Sequence, residues 1–420
     1  MFSIKQQMLS WANRFNICCF LDNNEYGTSY NSVECIVGAG ALHTFSSTDC
    51  FFPSLSSFLS LHNDWIFGHF NYDLKNEIEE KLASQNPDFV NFPDYFLFVP
   101  AIFVKLQAGT LTIGVTNQNA QLIYKEITDE VFANQPVKSL QVKPRIDREE
   151  YVKTIGEIQN HIKHGDCYEI NFCQEFHATG GIDPLSVFKQ LNAVSPNPFS
   201  AYYKLFDKFL LCSSPERYVK KEGNRIISQP IKGTSARDTS NKDIDLNNKN
   251  DLYKSSKDRS ENVMVVDLVR NDLSRVCKEG SVVVEELFGV YSFPNVHQMI
   301  STISGELKED VGFSDILKAT FPMGSMTGAP KRKVMELIEK FEKSKRGLYS
   351  GTVGYISPEK NFDFNVVIRS LIYNQSTDYL SFHVGSAITS YSNPESEYEE
   401  CVLKGKAIMK MFAGEDLSEK

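Results

Sequence analysis

The segment Gln229-Pro230-Ile231-Lys232-Gly233-Thr234 sets one lysine between a proline and a Gly-Thr pair, where the backbone is tightly fixed. Held in surroundings that lower its pKa, such a lysine acts as a nucleophile rather than as a solvated charge. Two pairs of acids have a spacing that suits a metal. Asp258 and Glu261 are three apart at the start of an expected helix, and Glu397 and Glu400 repeat that spacing after Asn393-Pro394. Residues at i and i+3 share a helix face, where like charges repel. A hard cation such as Mg²⁺, which takes one or two protein carboxylates, offsets that repulsion. The plainer reading is that acids near helix N-termini complement the helix dipole. Glu216, in Ser213-Ser214-Pro215-Glu216-Arg217, follows the apolar run Phe209-Leu210-Leu211. A carboxyl just past a buried strand loses hydration, its pKa rises, and it suits general-acid work. The alternative is a surface neighbour pair with Arg217.

Other segments could hold anions. Phe321-Pro322-Met323-Gly324-Ser325-Met326-Thr327-Gly328-Ala329-Pro330 reads as a loop offering amides at the start of a helix, although many structural loops look alike. Gly385-Ser386-Ala387 ends an expected strand and could offer amides too. Arg369 closes the apolar stretch Asn365-Val366-Val367-Ile368; it suits a bidentate grip on a carboxylate, or it is satisfied by a structural acid. His297 opens a strand after Phe293-Pro294-Asn295-Val296, where a lone histidine is more often a core residue. No Ser-His-Asp order, P-loop, dinucleotide fingerprint or zinc spacing is present.

The elements that must position these groups mix strands and helices without βαβ alternation, so the fold class expected is α+β. Residues 17–45 and 96–117 read as strands. Tyr151, Ile155, Ile158 and Ile162 give a helix over Asp147–His164 with Asp147 as cap. Apolar residues at 263, 266, 269 and 273 give another over Ser260–Val276. Strands are expected around 281–290, 297–304, 348–357, 363–373 and 379–388, and helices around 330–343 and 394–412. The polar stretch Ser235–Lys257 reads as a surface loop, or a mobile flap beside Lys232. A seam at Gln135–Arg145, polar and with two prolines, divides residues 1–140 from 145–415.

With 420 residues the chain exceeds one ordinary core, so one composite domain or two are expected. A net charge of -9 leaves no basic footprint for nucleic acid or anionic lipid. No apolar run approaches the ~18 residues of a membrane span. The nine cysteines form no CxxC pair and no apolar leader is evident, so reduced thiols and a cytoplasmic location are expected.

Taken in chain order, Gly165-Asp166-Cys167-Tyr168, SSPER at 213–217, PIKGT at 230–234 and KDRSENVMVVDLVRNDLSRV at 257–276 resemble motifs of the chorismate-utilising enzymes. FPMGSMTGAPK at 321–331, LYSGTVGY at 348–355 and VGSAITSYSNPESEYEE at 384–400 continue the resemblance, which spans roughly residues 145–410. Trp65–Asp73 resembles a more variable stretch of the family's N-terminal part. The resemblance implies a two-lobed α+β fold with large facing antiparallel sheets, outer helices and a site in the cleft. It implies Mg²⁺ held directly by Glu261 and Glu400, with Asp258 and Glu397 acting through water. It also implies Arg369 and Tyr349 on the enolpyruvyl carboxylate of chorismate, contacts from Gly385 and Thr234, and His297 beside the leaving hydroxyl. A tryptophan pocket is implied between Pro198-Phe199-Ser200 and a region near Asn23 and residues 30–32, Tyr30 included.

Within the family, PIKGT resembles the members that aminate chorismate at C4; anthranilate-forming relatives usually carry a small residue at the lysine position. The implied mechanism has Glu216 protonate the C4 hydroxyl and Lys232, as free amine, attack C2. Ammonia then attacks C4 and expels the lysine, giving 4-amino-4-deoxychorismate. An unperturbed lysine is only about 0.04% neutral at pH 7, so the site is expected to depress its pKa by ~2–3 units. These motifs use up the chain's length, so a separate glutaminase supplying ammonia is implied as partner. Two positions depart from the pattern: Glu169 stands where glutamine is frequent, and Met323 where glycine or alanine is usual. The rival readings are anthranilate synthesis and a non-catalytic, tryptophan-binding subunit.

Overall fold

The computed structural model describes residues 3–27, 30, 33–79, 81–131 and 135–413. Its frame is two large antiparallel sheets, of eleven and ten strands among the described residues. The larger runs Gly328–Ala329, Glu169–Thr179, Tyr379–Ile388, Ser370–Asn374, Lys208–Ser214, Phe199–Leu205, Ile17–Asp22, Cys35–Ala39, Ile102–Gln107 and Thr110–Val115, with Lys143–Pro144 beside Glu169–Thr179. The smaller runs Ile231–Ala236, Val296–Glu306, Arg225–Gln229, Arg217–Glu222, Phe362–Asn365, Thr352–Ile356, Ile66–Phe70, Tyr95–Val99 and His43–Phe45, with Val283–Ser292 on Val296–Glu306.

Successive strand residues face opposite ways, and this alternation sorts the core into two layers. Ile17, Cys19, Tyr203 and Leu210 of the larger sheet join Phe67, Phe98 and Val353 of the smaller in one cluster. Their neighbours Cys18, Phe20, Tyr202 and Leu211 turn the other way, onto Met8 and Trp11 of the helix Ile4–Ala12 and Phe188 of the helix Pro184–Val194. Both sheets combine strands from before and after the seam at 135–145. That seam is a boundary of composition, and the core runs across it.

Two of the places where the chain passes from one sheet to the other bear on the site. Lys208–Ser214 lies in the larger and Arg217–Glu222 in the smaller, so Pro215 and Glu216 form one crossover. Phe362–Asn365 lies in the smaller and Ser370–Asn374 in the larger, so 366–369 form the second. The crossovers are bonded together: Val366 N donates to Glu216 O (3.0 Å) and Ser213 N to Arg369 O (3.3 Å). The single strand expected over 363–373 is therefore two strands. The chain leaves one sheet for the other, and Arg369 turns it with φ of 50°.

The helices over Arg148–Lys163 and Pro394–Ala413 lie where periodicity and capping residues put them. Asp147 accepts from Glu150 N (2.9 Å) and Asn393 from Ser396 N (3.0 Å). The polar stretch 235–257 is corrected. It holds a helix, Lys242–Lys254, capped by Asn241, after which Ser255 caps the long helix Ser256–Val276. Leu252 is the buried residue of that first helix, too weak an apolar stripe for periodicity to reveal. Among the described residues no helix is long and apolar enough to cross a membrane.

Candidate active site

Lys232 sits in a β-bulge. Its strand pairs Ile231 with Ile300 and Thr234 with Gln298, so the register slips across Lys232 and Gly233. Gly233 has φ of 91°, and a Cβ there would stand 3.0 Å from Asp258 Cβ, so only glycine lets the long helix come this close. The bulge turns the Lys232 side chain toward the other sheet. Its Nζ donates to Glu169 Oε1 at 2.7 Å, an ion pair joining the first residue of Glu169–Thr179 to the opposite sheet. Glu169 is 1% exposed, and its buried Oε2 has no hydrogen-bond partner among the described residues.

The expected depression of the Lys232 pKa is not found. Burial is the largest single influence and pulls it down, but the charge and hydrogen bond of Glu169 together with the charges of Glu261 and Glu216 outweigh it, so the amine is held above the ordinary lysine value. Glu216 lies at its crossover, 3% exposed, and accepts from Ser325 Oγ at 2.5 Å. Burial pushes its carboxyl up to about 7 against the opposing Ser325 hydrogen bond and Lys232 charge. A carboxyl with that pKa carries a transferable proton near neutrality. It also lines a pocket of about 370 Å³ with Tyr218, Pro230, Leu273, Met323 and Ser325; Lys232, Tyr349 and Arg369 are not among the lining residues.

Arg369 makes no ion pair and no side-chain hydrogen bond among the described residues, and burial alone lowers its pKa. The reading as a structurally satisfied arginine is thereby excluded among those residues, and a desolvated, unpaired guanidinium is left suited to an anion. If it grips a substrate carboxylate, Arg369→Ala should raise KM for that substrate about 10- to 100-fold, the effect of losing a charged hydrogen bond of about 1.5–3 kcal/mol, with a smaller change in kcat. Steady-state kinetics checks this, and an unchanged KM would remove Arg369 from the binding set.

Tyr349 is buried against His383 (ring centroids 5.0 Å) with its hydroxyl 3.6 Å from Cys173 Sγ. Gly385 pairs with Cys173, where a Cβ would come within 2.3 Å of the same sulfur. Thr234 is exposed on the bulged strand. His297 lies near the bulge, paired with Ser235, but both ring nitrogens are engaged, by Ser292 Oγ (2.9 Å) and by Asp245 Oδ1 (3.0 Å). Asp245 also takes Arg237 (2.7 Å), so the helix Lys242–Lys254 is tied down over this strand. The loop 321–328 is buried rather than a row of open amides. Arg346, which sequence reasoning missed, donates from its buried guanidinium to Met326 O and Asn171 O, both at 2.7 Å, and to Glu342.

The model of a family described as chorismate binding enzyme matches residues 38–410. The chain belongs to the chorismate-binding enzyme family. It is 37% identical over 350 residues to aminodeoxychorismate synthase component 1 of Escherichia coli (strain K12), covering 82% of this chain and 76% of that one. To the chloroplastic aminodeoxychorismate synthase of Arabidopsis thaliana it is 42% identical over 268 residues, 63% of this chain and 29% of that longer one. The crystal structure of anthranilate synthase component I from Streptococcus pneumoniae TIGR4 superposes with a TM-score of 0.79 over 92% of this chain and 95% of the other, at 23% identity, a likeness of fold.

In this chorismate-binding enzyme the four acids come from two helices and meet around Lys257. Its Nζ is 4.0 Å from Glu261 Oε1 and 3.9 Å from Glu397 Oε1. Burial lowers the Lys257 pKa, but Glu261, Glu397, Glu400 and Asp258 together raise it. Burial pushes Glu261 up to about 7, and its buried Oε1 has no hydrogen-bond partner among the described residues. Glu400 is held below the usual range by Lys404, at 2.8 Å, against the effect of burial. Among the described residues no three acid, His or Cys side chains converge in metal-ligating geometry. Mg²⁺ needs only one or two carboxylates, with water and substrate oxygens completing the octahedron. A buried oxygen on Glu261 that takes no hydrogen bond among the described residues, and a second acid on the facing helix, fit such an ion.

A second pocket, about 450 Å³, is lined by Asn23, Pro198, Phe199, Ser200, Val33 and Arg217, among others. Tyr30 is not a lining residue. Its carbonyl accepts from Arg217 (3.1 Å) and Lys220 (2.9 Å), and its hydroxyl bonds Glu285. Residues 31 and 32 lie outside the described residues.

Proposed function

We propose that this chain is the synthase component that converts chorismate and ammonia to 4-amino-4-deoxychorismate, the precursor of 4-aminobenzoate. The carrying observation is Lys232: an amine on a side chain only 10% exposed, aimed from a bulge at the opposite sheet, with a protonatable Glu216 nearby. The names of the relatives, aminodeoxychorismate synthase, support the same reading. In it Arg369 and Tyr349 hold the enolpyruvyl carboxylate, while Gly385 and Thr234 position the ring. Glu216 gives its proton to the departing C4 hydroxyl. Lys232 attacks C2, and ammonia then displaces it through C4. Mg²⁺, bound by Glu261 and Glu400 with Asp258 and Glu397 through water, would neutralise the ring carboxylate. His297, engaged by Asp245 and Ser292, orients the wall near the leaving hydroxyl. Ammonia comes from a glutaminase partner, in keeping with the relative's designation as component 1. Eight buried thiols and one exposed one, all free, accord with a reducing cytoplasm.

Chorismate incubated with Mg²⁺ and ammonium salt, with and without an aminodeoxychorismate lyase, tests the reading. 4-Aminobenzoate should appear only with the lyase; anthranilate without it would overturn the assignment.

The second pocket is proposed to bind tryptophan. Arg217 stacks on Phe199 (4.8 Å) in its lining, which combines apolar Val33, Ile36 and Val353 with charged Asp22, Arg217 and Asp363. Calorimetric titration with tryptophan should give saturable heat, weakened when Val33→Phe narrows the cavity; no heat at millimolar tryptophan would leave the pocket structural.

A further inference from the structure

Lys232 cannot attack anything while it is an ammonium, and its surroundings favour the ammonium. Its only hydrogen-bonding neighbour among the described residues is Glu169 Oε1, at 2.7 Å. Glu169 is buried, and among the described residues Oε2 has no hydrogen-bond partner, so none of them competes for the charge of this carboxylate. The backbone here is fixed: Glu169 pairs with Ala329, and Gly328 packs so closely that a Cβ on it would lie 2.1 Å from Glu169 O. A rigid carboxylate in contact with the nucleophile's nitrogen is placed to take its proton.

We propose that Glu169 is the general base of the reaction, the group that accepts the proton of the Lys232 ammonium as Nζ attacks C2. This rests on the reading of Lys232 as nucleophile. The N–H bond of Lys232 breaks, an O–H bond forms on Glu169, and the freed electron pair makes the N–C2 bond. The ring double bonds shift, the C4–O bond breaks, and the hydroxyl leaves as water with the proton of Glu216. When ammonia bonds to C4 and the double bonds return, the C2–N bond breaks and Lys232 regains its proton from Glu169. The extra proton on the new amino group passes to Glu216. The sum is chorismate plus ammonia giving 4-amino-4-deoxychorismate plus water, and both carboxyls are restored. Internal transfer explains how an amine held protonated can act near neutral pH.

The other charged groups that act on this pair are Glu261 of the helix Ser256–Val276, Glu216 of the first crossover and Glu400 of the helix Pro394–Ala413. Glu169 also raises the Glu261 pKa, so Glu169→Asp, which keeps that charge, is the reference against which the pH dependence of Glu169→Gln is read. The test compares wild type, Glu169→Gln and Glu169→Asp in 4-amino-4-deoxychorismate formation from pH 6.5 to 9, at constant free ammonia. In parallel, trace acetylation of Lys232 is read by peptide mass spectrometry. Glu169→Gln should be at least tenfold slower at pH 7, and its deficit should shrink about tenfold per pH unit as the amine is freed by solvent instead. Glu169→Asp, which keeps the carboxylate, should show a deficit that does not change with pH. Acetylation of Lys232 should begin at lower pH in Glu169→Gln than in wild type. A pH-independent deficit in Glu169→Gln, or identical acetylation profiles, would overturn the role of Glu169 while leaving the nucleophile in place. Wild type that forms no 4-amino-4-deoxychorismate would overturn the reading of the nucleophile and this role with it.

Discussion

Lys232→Ala should lower formation of 4-amino-4-deoxychorismate by about 10³-fold or more, equivalent to about 4 kcal/mol of activation free energy. Removing the nucleophile merges two displacements into one, in which ammonia must expel a poor leaving group directly. The substitution also strips the counter-ion from Glu169, which is 1% exposed, and from the charges of Glu261 and Glu216 that act on the same amine. An unpaired buried carboxylate costs about 3–5 kcal/mol, so part of the loss could come from unfolding. The double variant Lys232→Ala/Glu169→Gln separates the causes, because it restores neutrality without restoring an amine. It should melt close to wild type and remain inactive. If Lys232→Ala turns over at the wild-type rate, or if the double variant recovers activity, no covalent step runs through this residue. Intact-mass detection of a chorismate-derived adduct on wild type, absent from both variants, is the complementary measurement.

Why this lysine faces an acid at all could be read only in part from the chain. The bulge was foreshadowed by Pro230 and Gly233, residues that fix or free the backbone. The helices that carry Asp258, Glu261, Glu397 and Glu400 were legible because capping residues and periodicity agree there. Three things were not. Arg369 reads as part of one long strand over 363–373, because Val366, Val367 and Ile368 are apolar for a different reason: they cross the core between sheets. The helix Lys242–Lys254 looked like a loop, because it is held by polar contacts such as Asp245 with Arg237 and His297 rather than by an apolar stripe. The sign of the Lys232 pKa shift was missed because it depends on Glu169, sixty-three residues earlier. A pairing across two sheets is a property of topology, and local sequence does not encode it.

The two crossovers carry a further consequence. Glu216 and Arg369 belong to segments that leave one sheet and join the other, and main-chain hydrogen bonds lock the segments side by side. At such places the backbone is released from ladder geometry while the flanking strands stay rigid. Side chains can then point into the space between sheets at fixed positions, as a preorganised site needs. The same geometry buries Glu216 without a cationic hydrogen-bond partner, so its proton affinity is a product of the fold.

Glu216→Gln should therefore lower turnover by about 10²–10⁴-fold, the range for loss of a general acid. It should also remove a pH limb. The carboxyl sits near 7 because burial penalises its ionised form. The free enzyme is then competent below about 7 and loses a decade of kcat/KM per pH unit above it, until other groups intervene. The residual activity of the variant should lack that limb. Stability should respond in the opposite sense. The folded pKa lies above the unfolded value of ~4.3, so the native state binds the proton more tightly; this favours folding at low pH and turns unfavourable as pH rises from about 4.3 to about 7. Above that window the wild type carries a buried carboxylate at a cost on the order of 3 kcal/mol, which the neutral amide avoids. Glu216→Gln should accordingly melt higher than wild type at pH 8, with the difference fading toward pH 4. A variant that is inactive and also less stable at pH 8 would mean that Glu216 supports the crossover through its hydrogen bond to Ser325 rather than through its proton.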